Sequence, residues 1–161
     1  MQTSAPAAVR RRLFAALRAG AQILDRVVVV VAHPDDETVG VGGRLPLFSD
    51  LRLIHVTDGA PRDGHDAARL GFADPVSYAR ARAAELERAL AALGVRARRE
   101  SLGLADQGAA PRMADLARRL GPILRGADLV LTHAYEGGHP DHDACALAVQ
   151  GACARLAEPP V

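Results

Sequence analysis

The most apolar stretch of the chain is Val27 to Val31, five valines in a row between Arg26 and Ala32. An unbroken β-branched run without the alternation of a half-exposed strand is what a strand covered on both faces requires. Shorter apolar or alternating runs at 51–57 (LRLIHVT), 95–101 (VRARRES) and 128–133 (DLVLTH) predict three more strands. Between them the apolar spacing turns helical, at 37–48, 75–93, 111–124 and 141–156. Strand and helix in alternation imply parallel pairing, because each crossover must return to the same end of the sheet. The fold expected is α/β and Rossmann-like, a mainly parallel sheet sandwiched by helices. Residues 1–9 read as a frayed terminus and 10–24 as an arginine-rich helix with Leu13, Phe14, Leu17 and Ile23 on its apolar side. The expected division is an N-terminal extension over 1–25 and one domain over 26–161.

Composition narrows the function classes. A chain of 161 residues holds one core of ordinary size, and 20 basic against 19 acidic residues leave a formal charge of +1. No long-range field then draws nucleic acid or an anionic membrane, so neither is an expected partner. No apolar run reaches the length of a membrane span, and the first twenty residues lack the apolar segment of a secretory signal, so the cytoplasm is the expected compartment. Cys145 and Cys153 sit eight residues apart in one helical window, too far along its axis to bridge, and read as reduced thiols.

In a doubly wound sheet the ligand site lies beyond the carboxyl ends of the strands. Here the first strand runs into His33-Pro34-Asp35-Asp36-Glu37, the second into Thr57-Asp58-Gly59, the third region reaches Asp106, and the fourth opens HAYEGGHPDHD, His133 to Asp143. Two His-Pro-Asp tripeptides, at His33 and His139, thus start loops at one edge of the sheet. Imidazole and carboxylate together suit zinc, and three protein ligands with an open position mark a catalytic ion. A second carboxylate beside it can serve as general base. Asp35 and Asp36 are adjacent and cannot point the same way, so one ligates and the other is free for proton transfer.

The motifs AHPDDE, TDG, RARAAELERALAALGV and YEGGHPDHDA, spread over residues 26–156, resemble the PIG-L/LmbE-like zinc-dependent N-acetylglucosaminyl deacetylases. The resemblance implies His33, Asp36 and His142 as zinc ligands, Asp35 as general base, and His139 as the group that stabilises the oxyanion and helps the amine leave. It further implies Asp106 near the substrate or His139, and Arg80 or Arg82 reaching the sugar. The substrate implied is an N-acetylated amino sugar or glycoconjugate. Members of that family run some tens of residues past the second His-Pro-Asp motif, so relative to them the domain stops early at Val161, and a homo-oligomer pairing at the exposed sheet edge is compatible with it.

Other residues have blander readings. Glu37 fits a first helical turn, where the macrodipole favours an acid. Gly40, Gly42 and Gly43 do not form a phosphate loop in place and suggest close packing of helix on sheet. His65 belongs to a polar loop, Asp58-Gly59 to a tight turn, and Tyr135 either donates to an oxyanion or packs in its loop. His55 and His133 have no ligand role by resemblance. Two rivals stand beside the zinc hydrolase: another divalent metal such as the iron of a facial triad, and a non-catalytic, metal-stabilised module that binds a sugar or nucleotide.

Overall fold

The computed structural model describes residues 5–161, so the expected frayed start at 1–4 lies outside the described residues. Four strands form one sheet: β1 (Ile23–Val31), β2 (Phe48–Pro61), β3 (Arg98–Asp106) and β4 (Leu129–Thr132), in the order β3-β2-β1-β4 with every pairing parallel. The valine run is the central strand and divides its side chains between two cores. Val27, Val29 and Val31 join Leu51, Leu53, Leu86, Leu90 and Leu13 on one face. Val28 and Val30 join Ile54, Val56, Leu116, Leu120, Leu124 and Val149 on the other. The first face is covered by helices α1 (Ala5–Ala19) and α4 (Pro75–Ala92), the second by α5 (Met113–Leu124) and α6 (Pro140–Cys153). The α/β sandwich expected from the pattern is therefore the fold.

Boundaries moved where local chemistry intervened. The sheet strand β1 starts at Ile23 and the α1 residue Leu13 is buried beside Val27, so the segment set apart as an extension packs into the same core. The helix expected at 37–48 shrinks to α2 (Asp36–Val41), because Gly42 and Gly43 stop it and Pro46 admits only a short 3-10 turn. A Cβ on Gly40 or Gly43 would meet nothing within 4 Å, so close packing is not why these glycines are there. Strand β3 begins three residues later than expected because Val95 is spent on the exit of α4, its amide bonded to Leu90 O beyond Gly94 at φ 68°. The stretch holding His65 carries a short helix, α3 (His65–Arg69). Val161 lies alongside β4, donating to Asp128 O at 3.1 Å and accepting from Val130 N at 2.9 Å, so part of that edge is covered within the chain.

The topology fixes where a site can be. From β1 the chain steps outward through β2 to β3, then returns to the other flank of β1 as β4. Crossovers therefore change direction between β1 and β4, and the loops leaving those two strands flank the crevice where such sheets bind ligands. Thr57 anchors the end of β1, its hydroxyl and amide both donating to Ala32 O at 2.9 and 2.8 Å.

Candidate metal centre

Beyond β1 the backbone turns sharply at His33, whose carbonyl accepts from Asp35 N at 3.0 Å and Asp36 N at 3.3 Å. The Asp36 carboxylate folds back to accept from His33 N at 2.7 Å, which fixes it among the imidazoles. Asp35 points the other way and is 57% exposed, its Oδ2 2.8 Å from Arg82 Nη2. The two carboxylates diverge as their adjacency requires.

Beyond β4 the second motif closes on the first. His142 Nε2 lies 3.4 Å from Asp36 Oδ1, and His33 Nδ1 lies 3.4 Å from Asp36 Oδ2. His139 caps the N-terminus of α6, with its Nδ1 accepting from Asp141 N at 3.2 Å. A ring that accepts through Nδ1 carries its proton on Nε2, 3.9 Å from Asp106 Oδ1, and the side chain is partly exposed toward the crevice. Asp143 accepts from Glu136 N at 3.0 Å and Gly137 N at 3.2 Å and so shapes the loop between β4 and α6.

Three overlapping sets have ligand atoms within 4.8 Å of one another: His33, His139 and His142; Asp36, His133 and His142; and His33, Asp106 and Asp141. The residues fit a divalent cation on independent grounds. His33 Nε2 and Asp106 Oδ1 are buried with no hydrogen-bond partner. His133 Nε2 accepts from Ala32 N at 3.0 Å, yet the same atom stands 3.4 Å from Asp36 Oδ2, itself an acceptor from His33 N. Two acceptors that close call for positive charge nearby. Burial disfavours charge on His33, but Asp106, Asp141 and Asp36 outweigh it and push its pKa up to about 11. Burial would raise the Asp36 carboxyl, and His133 and His33 overcome that and hold it well below the usual range. His142 is pushed down, first by burial and then by the neighbouring His133, which favours the neutral ring that binds metal. The donors of this cluster thus fit a divalent cation.

Of the residues singled out in the sequence, His33, Asp36, His139, His142 and Asp106 come together here. Asp106, expected near the substrate or His139, lies on the His139 side: its buried Oδ1 is 3.3 Å from His33 Nε2 and 3.9 Å from His139 Nε2. Arg82 turns inward, while Arg80 stays exposed on α4 and Tyr135 is 67% exposed in its loop. Two participants went unassigned, Asp141 and His133. Asp141, fully buried, accepts from Gln107 N at 2.6 Å and Ala109 N at 3.0 Å and faces His33 Nε2 at 3.4 Å. His133 stacks on His142 with ring centroids 4.1 Å apart, and its place directly after β4 was the available signal. Glu37 is structural, but not through the macrodipole alone: it is fully buried and paired with His55 at 3.0 Å, its other oxygen accepting from Thr38 Oγ1 at 2.6 Å.

Residues 28–153, the stretch containing both His-Pro-Asp loops, match the family described as PIG-L, GlcNAc-PI de-N-acetylase. The chain belongs to that family. A curated relative, the 1D-myo-inositol 2-acetamido-2-deoxy-alpha-D-glucopyranoside deacetylase of Mycobacterium sp. (strain KMS), is 35% identical over 147 aligned positions covering 75% of this chain and 47% of its own. The chain thus spans about half the length of the curated relatives it matches. Among solved structures, the A40926 pseudoaglycone deacetylase Dbv21 superposes with a TM-score of 0.69 at 23% identity, over 82% of this chain and 60% of that one. The 4-carboxy-2-hydroxymuconate hydratase GalB from Pseudomonas putida KT2440 superposes with a TM-score of 0.57 at 23% identity, over 81% of this chain and 56% of that one. Likeness at that level shows the fold alone. Among the described residues no helix is long and apolar enough to cross a membrane.

Proposed function

We propose that this PIG-L family chain is a zinc-dependent hydrolase that removes the acetyl group from an N-acetylated amino sugar or its conjugate. The observation that supports the proposal is that the Asp36 carboxylate lies 3.4 Å from both His33 Nδ1 and His142 Nε2, joining the loops after β1 and β4, with Asp35 next in the chain and His139 at the start of α6. A purely structural metal site has no use for two spare proton-transfer groups. The named relative supports the substrate class, since it is a deacetylase of a 2-acetamido sugar linked to inositol.

His33, Asp36 and His142 would hold the ion. A zinc ion bound there supplies Lewis acidity and a water whose pKa is lowered toward neutrality. The remaining steps belong to the chain. Asp35, exposed and paired with Arg82, would accept the proton that water loses as its oxygen bonds to the acetyl carbonyl carbon. His139, with Nδ1 already accepting from Asp141 N, directs its Nε2 proton to the oxygen that becomes negative. The proton held on Asp35 then passes to nitrogen as the carbon–nitrogen bond breaks, giving acetate and a free amine. Asp106, with Oδ1 3.9 Å from His139 Nε2, adds negative charge beside that ring without bonding it.

The test is acetate release from N-acetylglucosamine and from its inositol conjugate by the zinc-loaded protein. Wild type should release acetate, and Asp35→Asn should lose at least about 100-fold in rate while still binding zinc, the usual scale for a positioned general base. A zinc-loaded Asp35→Asn of unchanged activity would refute the assigned chemistry. Zinc release by chelation that leaves hydrolysis intact would refute the metal's part in it.

A further inference from the structure

Helix α4 is rich in exposed charge, and only one of its arginines turns inward. Arg82 has a side chain just 14% exposed, whereas Arg80 two residues earlier is exposed. Its guanidinium bridges two separate elements. Nη2 meets Asp35 Oδ2 at 2.8 Å in the loop after β1, and Nη1 donates to Gly59 O at 2.5 Å at the end of β2. We propose that Arg82 is a positioning residue that sets the orientation of the Asp35 carboxylate, and that Gly59 is glycine to admit it. The proposal rests on the deacetylase reading above in taking Asp35 as the proton acceptor.

The geometry supports this over a sugar contact. A guanidinium is a planar fork, so bonding two partners at once fixes its own plane and, through it, the carboxylate it holds. One Asp35 oxygen is committed to Arg82, leaving the other for a proton. The backbone around Gly59 is shaped to the guanidinium: a Cβ there would stand 2.4 Å from Arg82 Nη1 and 2.9 Å from Pro34 Cδ, and φ is +68°. No flexible arginine reaching for solvent would need that clearance. Tyr78, one turn earlier on α4, brings its ring to 6.0 Å from Arg82 Cζ and limits the side chain's freedom on that side. Among the described residues no other side chain holds Asp35, the exposed member of an adjacent pair whose partner, Asp36, is bound to His33 N.

The test compares Arg82→Lys and Arg82→Gln with wild type in zinc-loaded protein, using N-acetylglucosamine as the probe. A positioning role predicts a loss of about 10–100-fold in kcat with KM within about twofold, as for groups that orient a catalytic residue from behind. Lysine should rescue little, because it supplies charge without the fork. Free guanidinium should restore part of the rate in Arg82→Gly. A rise in KM with kcat retained would overturn the proposal in favour of a sugar contact. A second measurement does not need activity: urea midpoints of Arg82→Gln, Asp35→Asn and the double variant should be non-additive, and strict additivity would overturn the pairing. If wild type released no acetate from any probe, the deacetylase reading would fail, and the urea cycle would still decide the Arg82–Asp35 pair.

Discussion

Replacing Asp141 by alanine perturbs a carboxylate that touches no solvent and does three things at once. It accepts from Gln107 N at 2.6 Å and from Ala109 N at 3.0 Å, and it faces the His33 ring at 3.4 Å. Gln107 is the one non-glycine among the described residues with positive φ, at 63°, so the turn after β3 is held in a conformation it would not adopt unaided. Each lost bond to a charged acceptor is worth about 1.5–3 kcal/mol, and each stranded amide has no water to turn to. Asp141→Ala should therefore cost about 3–5 kcal/mol, a large share of the roughly 5–15 kcal/mol that holds a domain folded. With a urea slope of about 2 kcal/mol/M, the midpoint falls by about 2 M. Asp141→Asn keeps one carbonyl acceptor and should cost about half as much. Asp143→Ala is the control: its amide bonds lie at the exposed loop, and its loss should stay below about 1 kcal/mol. Urea unfolding of metal-free protein followed by circular dichroism reads all three. An Asp141→Ala midpoint within experimental scatter of wild type would refute the reasoning that this buried clamp holds the β3 turn and the α6 start together.

The metal-free protein should also lose stability on both sides of a window. His33 is raised to about 11, so its contribution is complete below its unfolded value of about 6.5 and is lost as pH climbs through the folded one. Asp36, Asp106 and Asp141 are lowered, so theirs is present above about 4 and is lost as pH falls through their folded values. Thermal unfolding should therefore peak between about pH 4 and 6.5, and zinc added at pH 8 should raise the midpoint; a melting temperature that rises steadily to pH 9 without metal would contradict this. Burial raises the thiols of Cys145 and Cys153, so Ellman's reagent at pH 8 should find Cys145 nearly inert until the chain unfolds; rapid labelling in the native state would place it wrongly. Leu120→Ala, at the fully buried contact of α5 with the sheet, should cost about 2–5 kcal/mol by urea unfolding, and a cost under about 1 kcal/mol would place that side chain outside the core.

The sheet was legible in the sequence because its signal is local. Five valines in register announce a strand buried on both sides, and both His-Pro-Asp loops follow from their places after strands. What was not legible depends on partners far apart in the chain. Glu37 looked like a first-turn acid and His55 an unassigned strand residue, yet eighteen residues apart they form one buried pair. Asp141 stood out only as the last residue of the second His-Pro-Asp tripeptide and Asp106 as a residue near the substrate or His139, because no local pattern shows that both close on His33. Arg80 and Arg82 were equivalent by spacing; the helix's rotation against β2 chose Arg82. The glycines of α2 misled for a related reason, since a residue's freedom to be small says nothing of whether a neighbour stands close.

The proposed hydrolysis depends above all on a metal held by His33, Asp36 and His142. Elemental analysis of protein purified without affinity-metal contact, before and after zinc is offered and excess removed, tests this most directly. The intact protein should hold about one zinc per chain, as for a catalytic site with three protein ligands, and His142→Ala should lose nearly all of it with the fold retained. A chain that retains no metal after zinc is offered, or a His142→Ala variant that binds as much as wild type, would contradict it.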